Sequence, residues 1–386
     1  MIQREIAKQI KLASKKFPII GIIGPRQSGK TTLAKLIFKN YRYVNLEDPD
    51  VRLFAQEDPR GFLETYDSKV IIDEVQRVPD LFSYLQVRVD QNTKSGQYIL
   101  TGSQNFALME KVSQSLAGRI ALFNLLPLSF SELIKSGVKY SNFYEYIYKG
   151  SYPKVFSEKI NPSMWYPNYV QTYIEKDLRS IQNLVDLSTF QTFLKLCAGR
   201  VGQVLNLSSL GQDAGISHNT AKQWISLLQA GFIVYLLHPY YKNFNKRLIK
   251  SPKLYFYDTG LLTWLLGVSS KEMLKNHFNI GNIFENWIIS EYTKFQDNNG
   301  LPLNGYFWRD KVGHEVDLLI DKGEKVIITE IKSTKTFRSD SLGNINYLKD
   351  LMVNKIQTTN LIYGGDQNQL RNNINVYGWK SMTKAF

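Results

Sequence analysis

A glycine-rich segment near the N-terminal end carries the residue types that hold nucleotide phosphates. The spacing G-x-x-x-x-G-K-T is met by Gly24-Pro25-Arg26-Gln27-Ser28-Gly29-Lys30-Thr31, followed by Thr32. Glycines let the backbone curl so that successive N–H groups face the phosphates, and the positive end of the following helix points at them. Lys30 then reaches the β- and γ-phosphates, and Thr31 offers its hydroxyl to Mg²⁺. The sequence therefore predicts an ATP site at residues 24–32, with ATP and Mg²⁺ as cofactors.

Two carboxylates end the apolar run Lys69–Ile72. Asp73 is predicted to lie on the Mg²⁺ side of the nucleotide, and to belong to both the cofactor site and the metal site. Glu74 follows it and is predicted to polarise the attacking water as a general base. A small polar residue at the tip of the next buried run could position that water, with Ser103 as the first candidate and Thr101 as the second.

A third candidate for phosphate chemistry is an arginine that precedes the apolar run at residues 120–125. Arg119 could neutralise the charge that develops on the transferred phosphoryl group, as an arginine finger acting in cis or from a neighbouring subunit. A surface arginine without a catalytic role is the alternative.

The elements that must position these residues are short apolar runs alternating with helical patterns. This alternation predicts an α/β domain with a parallel sheet covered by helices, at residues 1–155. The predicted strands are Phe17–Ile23, Arg42–Leu46, Val70–Ile72, Gln97–Thr101 and Ile120–Leu125.

The whole chain has 386 residues, a net charge of +14 and a pI of about 9.4. The length suggests two or three domains, and the excess of basic residues favours DNA as a partner; solubility alone and an anionic membrane surface are the weaker explanations. Cys197 is the single cysteine, which excludes an internal disulfide and fits a reducing cytoplasm. The apolar stretch before Gly24 is too short to span a bilayer, so we expect a cytoplasmic protein without a membrane partner.

Several of these segments together resemble a known family. Four segments resemble the AAA-type ATP-binding proteins of bacteria and archaea, namely Gly24–Leu33, Val44–Pro49, Ile71–Gln76 and Leu100–Ser103. Three further segments resemble that family's C-terminal domain, whose function has long been unknown, namely Gly150–Pro153, Ser251–Gly260 and Glu315–Asp317. The resemblance covers nearly the whole chain and implies an AAA-like P-loop ATPase core, but it implies little about a cellular role.

The middle region, residues 156–255, is predicted to be mostly helical. Leu205–Gly231 has the pattern helix, turn, helix, and Phe232–Leu237 alternates like a strand, which together resemble a winged helix-turn-helix. The groove-facing candidates are Asn219, Lys222 and Gln223. Further along, five basic residues and three aromatic residues could grip and stack on DNA, namely Lys242, Lys246, Arg247, Lys250, Lys253, Tyr240, Tyr241 and Phe244. A lid or a protein-contact role is the alternative.

The C-terminal region, residues 256–386, is predicted to be a mixed α/β domain that resembles the restriction-endonuclease-like fold over about residues 275–340. Glu285 lies on a predicted helix, Asp317 on a strand, and Glu330 and Lys332 at the end of the next strand. Side chains two apart on a strand share a face, so Glu330 and Lys332 would lie on one face, with Asp317 alongside on the neighbouring strand. Asp317 and Glu330 could then hold Mg²⁺ or Mn²⁺, with Glu285 completing the metal site. Lys332 would then orient or deprotonate the attacking water. A catalytically silent copy is the alternative, and His314 is predicted to be a satisfied strand-end histidine.

The sequence predicts two alternative functions. The first is an ATP-hydrolysing, DNA-associated machine whose nucleotide state controls a nuclease-like C-terminal module. The second is a nucleotide-dependent switch whose C-terminal domains bind protein partners, with an acid cluster that is structural. A homo-oligomer is compatible with both. A small-molecule P-loop kinase is disfavoured because more than half of the chain lies outside the P-loop domain.

Overall fold

The architecture is taken from a computed structural model, which describes residues 2–103, 115–174, 187–241, 250–336, 342–352 and 354–386. Within these ranges no helix is both long enough and apolar enough to cross a membrane.

A five-stranded parallel sheet forms the N-terminal part, in the order β2-β3-β4-β1-β5. All of β1 is buried, because helices cover both faces of the sheet, as is usual where every strand is parallel. The predicted α/β fold and its five strands are confirmed, with small shifts at the ends. The strands are β1 (Ile19–Ile23), β2 (Arg42–Asn45), β3 (Val70–Asp73), β4 (Tyr98–Gly102) and β5 (Ile120–Asn124).

The helices around this sheet pack on it through apolar side chains. Ile10 of the first helix and Ile6 just before it pack with Ile20 and Ile22 of β1 and with Leu33 of the helix that follows the glycine-rich loop. The helices of this part are α1 (Ala7–Ala13), α2 (Lys30–Ile37), α3 (Pro49–Glu57), α4 (Pro59–Thr65), α5 (Leu81–Gln91) and α6 (Phe130–Lys135), with a short 3₁₀ turn at Val75–Arg77.

The middle part is helical, as predicted. A π-helical turn at Val170–Ile174 follows a helix with Pro167 in its interior, and proline cannot donate the backbone hydrogen bond expected there. The helices are α7 (Phe143–Lys149), α8 (Pro153–Ser157), α9 (Pro162–Tyr169), α10 (Leu187–Gly199), α11 (Leu207–Asp213), α12 (His218–Ala230), α13 (Thr259–Leu265) and α14 (Lys271–Lys275).

Two of these helices and a small sheet make up the predicted helix, turn, helix and strand. The turn between α11 and α12 contains Gly215 at φ 69°, a conformation that glycine adopts without strain. Ser217 caps α12 by accepting a hydrogen bond from the Thr220 N–H. An antiparallel pair, β6 (Val234–Leu237) and β7 (Lys253–Phe256), follows α12.

The C-terminal part is a six-stranded mixed sheet in the order β12-β13-β11-β10-β9-β8. The helix and three strands predicted from sequence are present, and they are followed by one more helix and three more strands. The elements are α15 (Ile280–Asn299), β8 (Gly305–Arg309), β9 (Glu315–Asp321), β10 (Val326–Lys332), α16 (Gly343–Leu351), β11 (Ile356–Tyr363), β12 (Gln369–Arg371) and β13 (Ile374–Gly378), with a final 3₁₀ segment at Trp379–Ala385.

The middle and C-terminal parts share one hydrophobic core. Its buried side chains come from segments as distant as Leu128 and Ala385, and helix α15 runs through it with Trp287 fully buried. Backbone hydrogen bonds also link residues 238–240 to Phe307 of β8. The two parts are therefore packed as a continuous body.

Candidate nucleotide site and the C-terminal acid cluster

The glycine-rich loop lies where β1 ends and α2 begins, as the motif requires. Gly24, Gln27 and Gly29 all have positive φ, which turns the backbone sharply. A side chain at Gly24 is excluded, since a Cβ there would lie 2.3 Å from the carbonyl oxygen of Leu125. The loop therefore curls between two strand ends, with α2 directly behind it.

The loop buries an ammonium group and a hydroxyl group that could both bind an anionic ligand. Lys30 is 6% exposed, and its ammonium group donates to the carbonyl oxygens of Gly24 and Pro25 at 3.0 and 2.9 Å. Ser28 Oγ is buried, and no described residue bonds to it. A buried polar atom without a partner is costly, so this loop fits a phosphate group that would supply one.

The two side chains expected to share a magnesium ion are already in contact. Thr31 Oγ1 donates to Asp73 Oδ2 at 2.8 Å, across the gap between α2 and the end of β3. Tyr43 of β2 donates to the same oxygen at 2.8 Å, and the buried Thr101 donates to Asp73 Oδ1. Burial and the neighbouring Asp73 carboxylate raise the pKa of Tyr43, which keeps its hydroxyl a donor. Asp73 is thus held by residues of α2, β2 and β4. Thr101 serves to hold Asp73 rather than to reach the cleft.

Glu74 adopts a left-handed conformation with φ 54°, which is strained for a residue with a side chain. Ser103 Oγ donates to its Oε1 at 2.9 Å, and Gln76 Nε2 donates to its Oε2. Both Glu74 and Ser103 line the same cleft as Lys30 and Thr31. The structure thus brings these predicted residues together in a cleft of about 510 Å³.

Arg119 is not part of this cleft. It precedes β5, and its carbonyl accepts a hydrogen bond from the N–H of Ile19, at the opposite end of β1 from the glycine-rich loop. Its guanidinium group makes two hydrogen bonds to Asp90, at 2.6 and 2.8 Å. Because parallel strands place their beginnings at the other edge of the sheet, the prediction of an arginine finger in cis is wrong. A role from a neighbouring subunit stays a prediction.

One wall of the cleft comes from a segment outside the glycine-rich loop and the parallel sheet, and it was not predicted from the sequence. Four residues in and just after α8 also line the cleft, namely Pro153, Lys154, Ser157 and Glu158. The signal in the sequence was Gly150-Ser151-Tyr152-Pro153, where a proline at the first helical position marks a helix start. Lys154 places a second ammonium group at the cleft, 3.8 Å from Glu158.

The same segment joins the cleft to the C-terminal part. Ser151 donates from both its N–H and its hydroxyl to Asp258, at 2.7 and 2.8 Å, and accepts a hydrogen bond from Lys294 at 3.1 Å. Lys294 and Glu291, both on α15, form a buried ion pair at 3.0 Å. Glu291 also accepts from the Phe130 N–H at 2.7 Å. Helix α15 is therefore fastened by buried charged groups to the chain on both sides of α7.

The C-terminal acid cluster is present, with a composition that differs from the prediction. Asp317 Oδ2 accepts from the Ile331 N–H at 2.8 Å, and Lys332 pairs with Glu330 at 2.6 Å. Burial, followed by repulsion from Glu330, raises the pKa of Asp317 well above its usual value, and burial also raises the pKa of Glu330. Glu330 Oε2 is buried without a described partner. These three predicted residues lie together at adjacent strands.

Glu285 is paired with a buried cation that the sequence reasoning had assigned to DNA. Lys253 of β7 is 1% exposed and forms ion pairs with Glu285, at 2.9 Å, and with Glu315. Burial alone would lower the pKa of Lys253, but Glu285, Asp317 and Glu315 outweigh it and raise that pKa. Within the described ranges no group of three or more His, Cys, Asp or Glu is placed to hold a metal ion. The prediction of Glu285 as a third metal ligand is therefore wrong, since Lys253 and Tyr255 occupy its Oε1 atom.

The remaining DNA candidates fall into three groups. Asn219, Lys222 and Gln223 are exposed on one face of α12, and Lys250 is exposed as well. Lys253 is buried and cannot reach DNA, and Tyr240 is buried while Tyr241 is exposed. The other candidates lie outside the described residues, namely Lys242, Phe244, Lys246 and Arg247.

His314 is a satisfied histidine, as predicted. Its Nδ1 lies 3.0 Å from Asp310 Oδ2, and its ring stacks on Tyr347. It takes no part in the acid cluster.

Three families match consecutive parts of the chain. Residues 16–134 match the AAA domain, residues 140–272 match a domain of unknown function (DUF8612), and residues 280–382 match a second one (DUF4143). An uncharacterized protein of Mycobacterium tuberculosis is 28% identical over 94% of this chain and 80% of its own length. An uncharacterized protein of Methanocaldococcus jannaschii is 24% identical over 95% and 86%.

Among solved structures, the Walker-type ATPase of Pyrococcus abyssi aligns with a TM-score of 0.46 at 11% identity, covering 69% of this chain and 96% of that one. The strand order, the loop geometry and the match of residues 16–134 to the AAA domain together identify the P-loop fold. The chain thus begins with a part that matches the AAA domain and has the P-loop arrangement, continues with a helical middle region, and ends with a part that matches DUF4143.

Proposed function

We propose that this protein hydrolyses ATP with Mg²⁺ in the cleft at residues 24–32 and that nucleotide state is passed to its C-terminal part. The observation that carries the proposal is the contact of Thr31 Oγ1 with Asp73 Oδ2, 2.8 Å apart beside Lys30 and Glu74. These are the groups that a P-loop site needs for phosphate binding, metal binding and water activation.

Each side chain has a distinct task in this proposal. The backbone N–H groups of the loop and Lys30 bind the β- and γ-phosphates, after Lys30 leaves the carbonyl oxygens that it now contacts. Thr31 and Asp73 would hold Mg²⁺, which supplies charge neutralisation at the phosphate oxygens. Glu74 accepts the proton of the attacking water, and Ser103 holds Glu74 in position.

Transmission to the C-terminal part is proposed to run through α8 and the segment before it. Lys154 lines the cleft, and three residues earlier Ser151 is bonded to Asp258 and Lys294. A shift of α8 on phosphate binding would therefore change the contacts of α13 and α15. This supports a nucleotide-dependent motion of the middle and C-terminal parts relative to the AAA domain.

DNA is the partner that we propose for the moving parts. The exposed face of α12 presents Asn219, Lys222 and Gln223 at helical spacing, and the chain has a net charge of +14. The rival proposal is a switch whose C-terminal parts bind a protein partner or a second copy of the chain.

A second candidate activity is metal-dependent DNA cleavage at the acid cluster. It is favoured by the buried Glu330 Oε2 without a described partner and by the raised pKa values of Asp317 and Glu330, because a divalent cation would relieve both. Mg²⁺ is commonly held by one or two carboxylates together with water and phosphate oxygens, so Asp317 and Glu330 suffice without Glu285. Lys332 would orient the attacking water.

The two activities can be tested separately. ATP turnover is measured with Mg²⁺ and with EDTA, with and without DNA, and stimulation by DNA separates the DNA machine from the protein-binding switch. For the acid cluster, Mg²⁺ or Mn²⁺ is titrated by calorimetry into the Lys30→Ala protein, so that the ATP site does not contribute.

In the same Lys30→Ala background we expect Asp317→Ala to lose metal binding and DNA nicking, whereas Asp350→Ala, at an exposed helix position, keeps both. Metal binding without nicking would support a silent copy, and absence of metal binding would remove the cleavage candidate.

A further inference from the structure

A groove lined with lysine side chains lies beside the AAA domain and shares no lining residue with the nucleotide cleft. Its volume is about 680 Å³, and its walls are α1 with the turn after it and the end of α6. Lys8 and Lys11 are exposed on α1, and Lys15 is exposed in the turn. Spacings of three and four residues place such side chains on one face of a helical segment.

The positive charge of this groove is not neutralised by the protein. Lys8, Lys11 and Lys15 make no ion pair with any described residue, whereas the acids of the groove are both occupied. Glu132 pairs with Arg4 at 3.1 Å, and Glu5 pairs with Lys135. The groove therefore carries about three uncompensated positive charges, and a ligand with several negative charges is the natural complement.

The shape and the apolar content of the groove favour a phosphate backbone over a lipid surface. A membrane-binding helix needs an exposed apolar face, but Ile10 of α1 and Ile6 just before it are fully buried against β1 and α2. Leu12, 48% exposed, is the one large apolar side chain among the described lining residues that remains open. Seven residues of helix span about 10 Å, and one DNA strand carries a phosphate per about 3.4 Å of helix axis, so the three lysines can meet phosphates of one strand.

The floor of the groove touches the glycine-rich loop. Arg4 lines the groove, is 8% exposed, and donates to the carbonyl oxygen of Ser28 at 2.8 Å and to that of Leu126 at 2.6 Å. Glu132, which also lines the groove, accepts from Arg4 and from the N–H of Glu5. A movement of α1 or of Arg4 would thus act on the backbone of the loop that binds ATP phosphates.

We propose that this groove binds the phosphate backbone of DNA and that binding there raises ATP turnover through Arg4. The proposal rests on the ATP hydrolysis and DNA contact proposed above, and it places a DNA contact on the AAA domain in addition to the face of α12. It assigns Arg4 as a positioning residue, which acts through the Ser28 carbonyl and does not line the nucleotide cleft.

The test compares two triple variants of the full chain. One is Lys8→Gln with Lys11→Gln and Lys15→Gln; the matched control is Lys39→Gln with Lys94→Gln and Lys275→Gln, three exposed lysines from separate parts of the chain. Binding of one duplex DNA is measured as log K against log salt. We expect the groove variant to flatten the slope by about 2.7, at about 0.9 for each phosphate contact, and the control to leave it unchanged.

ATP turnover is measured on the same proteins with and without the duplex. The groove variant should keep its turnover without DNA and lose the stimulation by DNA. A third variant, Arg4→Lys, should keep the salt slope and lose the stimulation, because lysine cannot donate to Glu132, Ser28 and Leu126 in the fixed geometry of a guanidinium group. Thermal melting of each variant confirms that it folds.

Four other outcomes of these experiments would each decide a different part of the proposals. A groove variant with an unchanged salt slope would overturn the groove and leave DNA binding by α12 intact. Failure of the wild-type protein to bind duplex DNA would overturn both DNA proposals but not ATP hydrolysis. Lysine-dependent binding to phosphatidylserine vesicles without binding to DNA would overturn the proposal in favour of a lipid surface. Wild-type protein without ATP turnover would remove the proposed hydrolysis, while the salt slope would still decide the groove.

Discussion

Ser103 Oγ donates a hydrogen bond to Glu74 Oε1 at 2.9 Å, which joins the ends of two adjacent parallel strands inside the nucleotide cleft. Glu74 is in a left-handed conformation, so its carboxylate depends on such partners for its direction. The contact makes Ser103 a residue that positions the proposed base.

Replacing Ser103 by alanine should lower kcat for ATP by about 10-fold or more, since a hydrogen bond to a charged group is worth about 1.5–3 kcal/mol. The affinity for ATP should not change, because Ser103 contacts Glu74 and not the glycine-rich loop. Steady-state kinetics with Mg²⁺-ATP measures both quantities. Ser226→Ala, whose hydroxyl donates within its own helix, is the control. A wild-type kcat in Ser103→Ala would remove this role.

Arg119→Ala should hydrolyse ATP at the wild-type rate where each site acts within its own protomer, because Arg119 is bonded to Asp90 at the far edge of the sheet. The measurement is ATP turnover per protomer over a range of protein concentrations. A large loss of turnover would contradict this expectation. Recovery of that loss on mixing with Lys30→Ala protein would then show that Arg119 acts on the site of a neighbouring subunit.

Lys294→Met should destabilise the protein by about 3–5 kcal/mol, since it leaves Glu291 buried without its cation. Adding Glu291→Gln should recover part of this loss, because an amide carries no charge and can still accept from the Phe130 N–H. Denaturant unfolding measures the three proteins side by side. Equal stability of Lys294→Met and the wild-type protein would show that the ion pair does not fasten α15.

Asp297 predicts a pH dependence of stability. It lies on α15 and accepts a hydrogen bond from Asn124 at the end of β5, and burial raises its pKa from 3.8 to about 7. The folded protein therefore keeps a proton that the unfolded chain releases above its lower pKa. Stability from this group is complete in acid and is lost as pH rises through about 7, at about 1.4 kcal/mol per pH unit at most.

The measurement is the free energy of unfolding of the wild-type protein and of Asp297→Asn between pH 5 and 8. The variant has no ionisable group at this position, so the difference between the two curves should change across this range in favour of the variant. Asp321→Asn, at a half-buried strand end, is the control. Parallel curves would show that Asp297 is ionised in the folded protein.

The sequence predicted the parallel-sheet part of the fold, and it predicted most of the residues that line the candidate nucleotide cleft, because the motif is local. Lys30 and Thr31 are fixed by the loop itself, and Asp73 and Ser103 follow from the rule that parallel strands end at one edge of a sheet. Arg119 was misplaced because it precedes its strand and therefore lies at the other edge. Lys154 was missed because it reaches the cleft through tertiary packing, which no local spacing encodes.

The C-terminal cluster shows the same limit. The period of two along a strand correctly brought Glu330 and Lys332 to one face, and the antiparallel register of β9 and β10 added Asp317. The partner of Glu285 could not be predicted, because Lys253 comes from a strand of the middle part. Its basic neighbours in sequence suggested an exposed DNA contact, whereas burial among three carboxylates gives it a structural role.

ATP hydrolysis with Glu74 as the base is tested most directly by a single-turnover assay with radiolabelled ATP and Mg²⁺. We expect wild-type protein to release phosphate, Lys30→Ala neither to bind nor to hydrolyse ATP, and Glu74→Gln to bind ATP with wild-type affinity but to hydrolyse it at least about 100-fold more slowly. Glu158→Gln, which removes a second carboxylate from the same cleft, is the matched control and should keep its turnover. Phosphate release by Glu74→Gln at the wild-type rate would show that Glu74 is not the base.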